Sequence, residues 1–210
     1  MLTIAHIEKA LALTDFDSAS AQLGMSPAGR ASMTPKLNKP PRQSAVLVLI
    51  YPDTDQKLQV ILTKRTEQLR GHSGQISFPG GRRDEGDKSY EETALREACE
   101  EVGVCNRSRI RILGQLAQLW IPPSNFEVMP IVATMDNIPQ LVPSPAEVAQ
   151  ILFLPLDNLL KDDIKKTTPM TFRGTVFDVP YYDVQGHIVW GATAAMLSEL
   201  EHRLRTTLTI

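Results

Sequence analysis

In Arg96-Glu97-Ala98-Cys99-Glu100-Glu101, three carboxylates stand at i, i+3 and i+4, a spacing that gathers side chains on one face of a helix. Like charges so close repel, so a purely structural helix gains little by keeping them there. A divalent cation supplies a reason. Carboxylate oxygens suit hard ions such as Mg²⁺ or Mn²⁺, and Mg²⁺ takes one or two protein carboxylates while leaving positions for substrate phosphates. The competing reading of Glu97, Glu100 and Glu101 is a solvated acidic face, the usual fate of such runs on helices.

The flanking residues supply what must position those acids. Pro79-Gly80-Gly81 ends a β-like run, Gln75-Ile76-Ser77-Phe78, and allows a tight turn that brings the backbone close to a ligand. Asp87 or Ser89 can cap the helix that follows, and Ser89 with Glu92 has capping-box spacing. Leu95, Cys99 and Val102 form the expected inward stripe, with the three glutamates pointing mostly away from it. Gly103 stands where a left-handed C-cap is usual. Strand, glycine turn, short loop and acidic helix together form a rigid surface for a metal and a phosphorylated ligand.

From Phe78 to Val104 the chain resembles the Nudix box of the Nudix hydrolases: a Gly, five residues, a Glu, seven residues, then Arg-Glu-apolar-x-Glu-Glu-x-Gly-apolar. Gly81, Arg96, Glu97, Ala98, Glu100, Glu101, Gly103 and Val104 match. Asp87 stands where the family has Glu, and eight residues rather than seven separate it from Arg96, so the resemblance assigns that acid no role. These departures resemble a variation within the coenzyme A pyrophosphatases. Upstream, Leu62-Thr63-Lys64-Arg65, Arg70-Gly71 and Phe78-Pro79-Gly80-Gly81 look like the second signature of that subgroup.

The resemblance implies a Nudix-fold α/β/α sandwich with a mixed β-sheet, an α+β arrangement, and hydrolysis of the pyrophosphate of coenzyme A or its derivatives. Glu97, Glu100 and Glu101 would be the metal ligands for Mg²⁺ or Mn²⁺, and the family adds the backbone carbonyl of Gly81. Arg96 would orient Glu100 from its i, i+4 position. The general base has three claimants: Glu147 on a late loop, Glu127 in a strand, or a box glutamate, Glu101 or Glu100. Lys64, Arg65 and Arg70 would hold substrate phosphates, with Gly80 and Gly81 bringing the backbone close to them. His72 is a weaker phosphate contact, and Trp190 and Tyr182 are either adenine platforms or core aromatics. Two other readings stand beside this one: a broader hydrolase of ADP-ribose, NADH or dinucleoside polyphosphates, and a nucleotide sensor that does not cleave. The sensor usually loses a box glutamate, and here all three remain.

Across its 210 residues the chain carries a net charge of −2, which gives no electrostatic footprint for a nucleic-acid partner. Two cysteines, Cys99 and Cys105, are too few for a disulfide framework and read as reduced thiols. The N-terminus has no signal-peptide pattern and no apolar run is of membrane-spanning length, so the expectation is a cytoplasmic protein without membrane contact.

One domain with an extension is the natural division: 1–43 as a helical extension and linker, 44–210 as the catalytic domain. The extension would cap the site, build a homodimer interface or pad a sheet edge. Residues 1–19 read as one amphipathic helix. Strands are expected over 45–51, 58–64, 109–119, 126–135 and 150–154, with a hairpin of 172–182 and 187–189. Helices are expected over 88–102 and 191–205, with a helix or turn at 155–161.

Overall fold

The computed structural model describes residues 1–26, 40–67, 74–137, 140–172 and 174–209. At its centre lies β1 (Arg42–Pro52), which reads as a continuous apolar run because both of its faces are covered. Residues alternate sides along it. Ala45, Leu47, Leu49 and Tyr51 face one layer, while Val46, Val48 and Ile50 face the other.

Strands β2 (Leu58–Arg65), β3 (Ile76–Ser77), β4 (Gly80–Arg82), β5 (Arg111–Gln115), β6 (Leu119–Ile121), β7 (Phe126–Thr134) and β8 (Val148–Pro155) complete the main sheet. Its core order is β3-β2-β1-β7-β5; β4 pairs with β1, β6 with β7 and β8 with β2. The β1–β7 pair is parallel and the others antiparallel, so the sheet is mixed, as expected.

One face of this sheet is covered by α3 (Tyr90–Val102), whose Ala94, Ala98 and Val102 meet the odd-numbered side of β1. The other face packs on α1 (Ile4–Leu11), α4 (Leu156–Leu159) and α5 (Gly191–Leu208), with α2 (Ser18–Leu23) lying against α5. The result is an α/β/α sandwich. A second sheet, β9 (Lys165–Phe172), β10 (Thr175–Val184) and β11 (His187–Trp190), sends Tyr182, Val184 and Val189 into that same core. The expected hairpin is the β10–β11 pair, turning at Gln185 and Gly186, whose positive φ values of 55° and 79° suit a two-residue hairpin loop.

Several boundaries differ from expectation. Residues 1–19 form two helices rather than one: Asp17 accepts from the Ser20 N–H (3.0 Å) and hydroxyl (2.6 Å), and that cap starts α2 afresh. The strand expected over 109–119 is broken into β5 and β6, with a register shift between Ile112 and Gly114. Strand β9 was not foreseen, because Lys165-Lys166-Thr167-Thr168-Pro169 lacks a clear apolar alternation. Its place comes from antiparallel pairing with β10.

The N-terminal helices are fastened by buried charge. Glu199 of α5 accepts from Ser18 Oγ (2.9 Å), Gln22 Nε2 (2.8 Å), the Ala117 N–H (3.0 Å) and Arg203 Nε (2.9 Å). Arg203 donates to the carbonyls of Ala10 (3.2 Å) and Leu13 (3.3 Å) and lies over the Phe16 ring. Leu2, Ile7, Ala10 and Met25 join the core beneath the sheet.

Because Ile7 is fully buried, Ile7→Ala should lower stability in urea denaturation by about 2–5 kcal/mol. A change below about 0.5 kcal/mol, the scale of ordinary surface substitutions, would mean that α1 is not part of the cooperative unit.

Candidate active site

Two glycines set the floor of the site. Pairing of β4 with β1 places Gly80 opposite Val46 and Gly81 opposite Ala45, and the Leu47 N–H donates to the Pro79 carbonyl at 2.8 Å. A Cβ at Gly80 would collide with the backbone of Ala45 and Val46, and one at Gly81 would lie 2.5 Å from the Glu97 carboxyl carbon. Glycine is therefore required at Gly80 by close approach of backbone, whereas a side chain at Gly81 would have to displace the Glu97 carboxylate.

Helix α3 begins where expected, with the Ser89 hydroxyl accepting from the Glu92 N–H at 3.2 Å, and ends on Gly103 in the left-handed conformation at φ 76°. The inward stripe is not the expected one. Ala94, Ala98 and Val102 face the sheet with Thr93 and Glu101, whereas Leu95 and Cys99 are only half-buried. The small alanines let the helix approach closely, and this rotation turns Glu101 inward. Its side chain is 2% exposed, against 15% for Glu97 and 54% for Glu100. The expectation that all three acids point mostly away from the core is thus corrected for Glu101.

Each acid meets a counter-charge or donor. The Gly80 N–H donates to Glu101 at 3.2 Å, and Arg65 at the end of β2 lies 3.5 Å away. Burial nevertheless pushes Glu101 up to about 7. Burial also raises Glu97, opposed by Arg96. Arg96 reaches Glu97 at 2.9 Å and Glu100 at 3.1 Å, which includes the foreseen i, i+4 contact.

What holds Arg96 itself was not foreseen. Asp87 accepts from its Nε (3.2 Å) and Nη2 (3.1 Å), and the Arg82 carbonyl from Nη2 (3.0 Å). Asp87 is in turn held by the Thr93 hydroxyl (3.0 Å) and the Asp84 N–H (3.0 Å). The Arg96 hydrogen bonds hold its carboxyl down at about 2. The displaced middle acid therefore anchors the arginine that faces the glutamates. Sequence offered one usable signal: an acid in the loop before a helix whose exposed edge carries a lone arginine.

The other candidates divide. Glu147 enters from the segment before β8: the Thr66 N–H donates to its carbonyl at 3.0 Å, and Arg65 pairs with Val148 in the β2–β8 register. Its charge raises both Glu97 and Glu101, so it belongs to the same electrostatic group. Glu127 lies on β7 opposite Gln43, with its carbonyl accepting from Ser44 Oγ at 3.3 Å. Lys64 pairs with Ile76 and Gln150 at the end of β2. Arg70 and His72 lie outside the described residues. Tyr182 is core, its hydroxyl donating to Glu201 at 2.6 Å, while Trp190 packs on Phe172 with ring centroids 5.6 Å apart.

Among the described residues, no three acidic, His or Cys side chains already converge on one point as a finished cation cage. Glu97 and Glu100 instead share the Arg96 guanidinium. The donor set still fits a hard divalent ion: three carboxylates of one helix edge, with the Glu97 carboxylate lying directly against Gly81.

The cysteines are not free thiols, which corrects the earlier reading. Cys99 and Cys105 form a disulfide with Cα atoms 4.4 Å apart. The left-handed turn at Gly103 folds the chain back and brings them together, a proximity that six residues of sequence separation alone do not reveal.

The sequence profile of the NUDIX domain matches residues 41–172. The chain belongs to the Nudix family. A Nudix hydrolase of Photorhabdus laumondii, NudL, is 38% identical over 164 residues, covering 78% of this chain and 86% of its own. Nudix hydrolase 15 of Arabidopsis thaliana, named as mitochondrial, is 32% identical over 75% of this chain, which spans 56% of that relative. The peroxisomal coenzyme A diphosphatase ndx-8 of Caenorhabditis elegans is 37% identical over 134 residues, 62% of this chain and 56% of its own. Among solved structures, a Nudix hydrolase from M. smegmatis, RenU, superposes with a TM-score of 0.53 over 82% of this chain and 89% of that one at 18% identity, a likeness of fold. The chain is therefore a Nudix hydrolase with a Nudix-type mixed sheet. Among the described residues, no helix is long and apolar enough to cross a membrane.

The site carries a pH signature in the metal-free protein. Glu101 titrates near 7 when folded against an ordinary 4.5, so the native state holds the extra proton between those values and stability falls as pH rises through that window. Asp87, near 2 when folded against 3.8, acts oppositely: its contribution is present above about 3.8 and is lost as pH falls through about 2. Urea denaturation across pH 4–8 with chelator present should show the upper fall, and Glu101→Gln should flatten most of it, leaving the smaller Glu97 part. An unchanged slope in that variant would disprove the burial argument.

Proposed function

We propose that this Nudix hydrolase cleaves the pyrophosphate of coenzyme A or its derivatives, acyl or oxidised, to adenosine 3′,5′-bisphosphate and 4′-phosphopantetheine products. The observation that carries the reading is the meeting of two separate motifs: Arg65, from the upstream signature, sits 3.5 Å from Glu101 of the acidic helix. The likeness to the nematode coenzyme A diphosphatase supports it.

Cleaving a pyrophosphate with water requires neutralised phosphate oxygens, an aligned water and an acceptor for its proton. A divalent ion, Mg²⁺ or Mn²⁺, held by Glu97, Glu100, Glu101 and the Gly81 carbonyl, would supply charge neutralisation and a more acidic bound water. Arg96, anchored on Asp87, keeps Glu97 and Glu100 in place. Glu147 is our general base: it arrives on the turn before β8, apart from the box, and lies within the electrostatic reach of Glu97 and Glu101. Lys64, Arg65 and Arg70 bind phosphate, including the 3′-phosphate that distinguishes coenzyme A from ADP-ribose. Gly80 and Gly81 let the backbone approach the ligand. We place the protein in the cytoplasm without nucleic-acid or membrane partners, and assign residues 1–43 as an extension to the 44–210 catalytic unit.

Incubation with Mg²⁺ and, separately, coenzyme A, its 3′-dephospho form and ADP-ribose should release adenosine 3′,5′-bisphosphate from the first, with much slower turnover of the other two. Comparable rates on ADP-ribose would overturn the coenzyme A assignment in favour of the broader hydrolase. Glu147→Gln should lower kcat by roughly 10²–10⁴, and Asp87→Asn by about 10–100-fold through loss of the Arg96 anchor. Full activity in Glu147→Gln would move the base to Glu127 or a box glutamate.

A further inference from the structure

At the C-terminal end of α3 two attachments share one turn. Gly103, at φ 76°, sends its N–H to the Cys99 carbonyl (3.0 Å) while the Val104 N–H reaches the Ala98 carbonyl (3.3 Å). Across this turn the Cys99–Cys105 disulfide closes. The last two carbonyls of the helix hold a neighbouring segment: the Ser144 N–H donates to the Glu101 carbonyl (2.8 Å) and the Val142 N–H to the Val102 carbonyl (2.9 Å). That segment continues through the Val148 N–H, which donates to the Ser144 carbonyl (2.8 Å), and so carries Glu147. Contact is direct, since a Cβ at Gly103 would lie 2.9 Å from the Val142 side chain. The disulfide thus ties the turn from which the 142–148 segment hangs.

Its two residues are unequally exposed, Cys105 exposed and Cys99 half-buried, so the chain leaves Cys105 the more open to attack. A helix end is where local opening begins, and a covalent tie across it resists that opening. In the chain, Cys99 lies between Glu97 and Glu100.

We infer that Cys99 and Cys105 form a thiol–disulfide exchange site for low-molecular-weight thiols, and that its state sets the order of the 142–148 segment. In the opening direction an external thiolate attacks Cys105 Sγ, and the Cys99–Cys105 bond breaks with its electron pair going to Cys99 Sγ, which takes up a proton. A second thiol then attacks the mixed disulfide, releasing Cys105 as a thiol and the small-molecule disulfide. Two thiols are oxidised as one protein disulfide is reduced, and the same small-molecule disulfide drives the reverse. With the tie open, the last turn of α3 frays more readily and the 142–148 segment loses its fixed acceptors. Any consequence for hydrolysis rests on the proposed roles of Glu101 and Glu147; the exchange itself does not.

The test uses the folded full chain without metal or nucleotide, so it is separable from the substrate assignment. The protein is equilibrated with mixtures of reduced and oxidised glutathione, trapped with iodoacetamide and weighed intact. The expected result is a reversible gain of two alkyl groups in the folded chain. In the reduced form the Val142 and Ser144 amides should exchange hydrogen roughly ten-fold or more faster, while β1 and β7 amides stay unchanged. Cys105→Ser should reproduce the reduced pattern; if that variant does not fold, the two forms of the natural chain decide alone. Thiols released only on unfolding, or amide exchange within about two-fold in both forms, would overturn the inference and leave the disulfide as a staple.

Discussion

The site depends on one electrostatic constraint. Four carboxylates, Glu97, Glu100, Glu101 and Glu147, are gathered at one edge of a sheet where water is partly excluded, and their repulsion must be offset by positive charge and donors held in place. Arg96 meets Glu97 and Glu100, and Arg65 and the Gly80 N–H meet Glu101. Because Arg96 is itself gripped through two nitrogens by Asp87, the arrangement is pre-organised rather than left to a mobile surface side chain. A guanidinium can share its place with another cation, which makes such an edge well suited to a divalent ion and to phosphate.

The fold serves that constraint from both sides. On one face, the small residues Ala94 and Ala98 seat α3 close enough to β1 for Glu97 to lie against Gly81 and for Glu101 to reach the Gly80 N–H. A bulkier stripe would have lifted the acids away from the glycine turn. On the other face, α5 supports the sheet and holds the two N-terminal helices through Glu199 and Arg203, both buried and mutually paired. Removing one partner would strand an uncompensated charge, so the N-terminal helices act as part of the support for the sheet. The 142–148 segment links the two ends of the site, since it begins on the carbonyls of α3 and ends in β8 beside Arg65.

Much of the frame was legible in the chain: the helix start at Ser89, its stop at Gly103, the glycine turn and the central strand all rest on signals that lie within a few residues of one another. The inward stripe of α3 was misjudged because Leu95 and Cys99 are more apolar than alanine, yet closeness to the sheet selected Ala94 and Ala98. β9 was missed because a strand that draws its order from a partner needs no strong pattern of its own. The cysteines were read by compartment statistics, whereas a left-handed turn decided their pairing.

By itself, then, the sequence determined the family resemblance, the acidic helix, the glycine turn before it and where most strands lie along the chain. These follow from helix periodicity and backbone sterics, which act over a few residues. Only the tertiary structure decided which acid is buried, that Asp87 anchors Arg96, that Arg65 stands at Glu101 and that Ser18 bonds Glu199 across the length of the chain. Burial and counter-charge are properties of the space between elements, and that space exists only once the sheet has brought distant segments together.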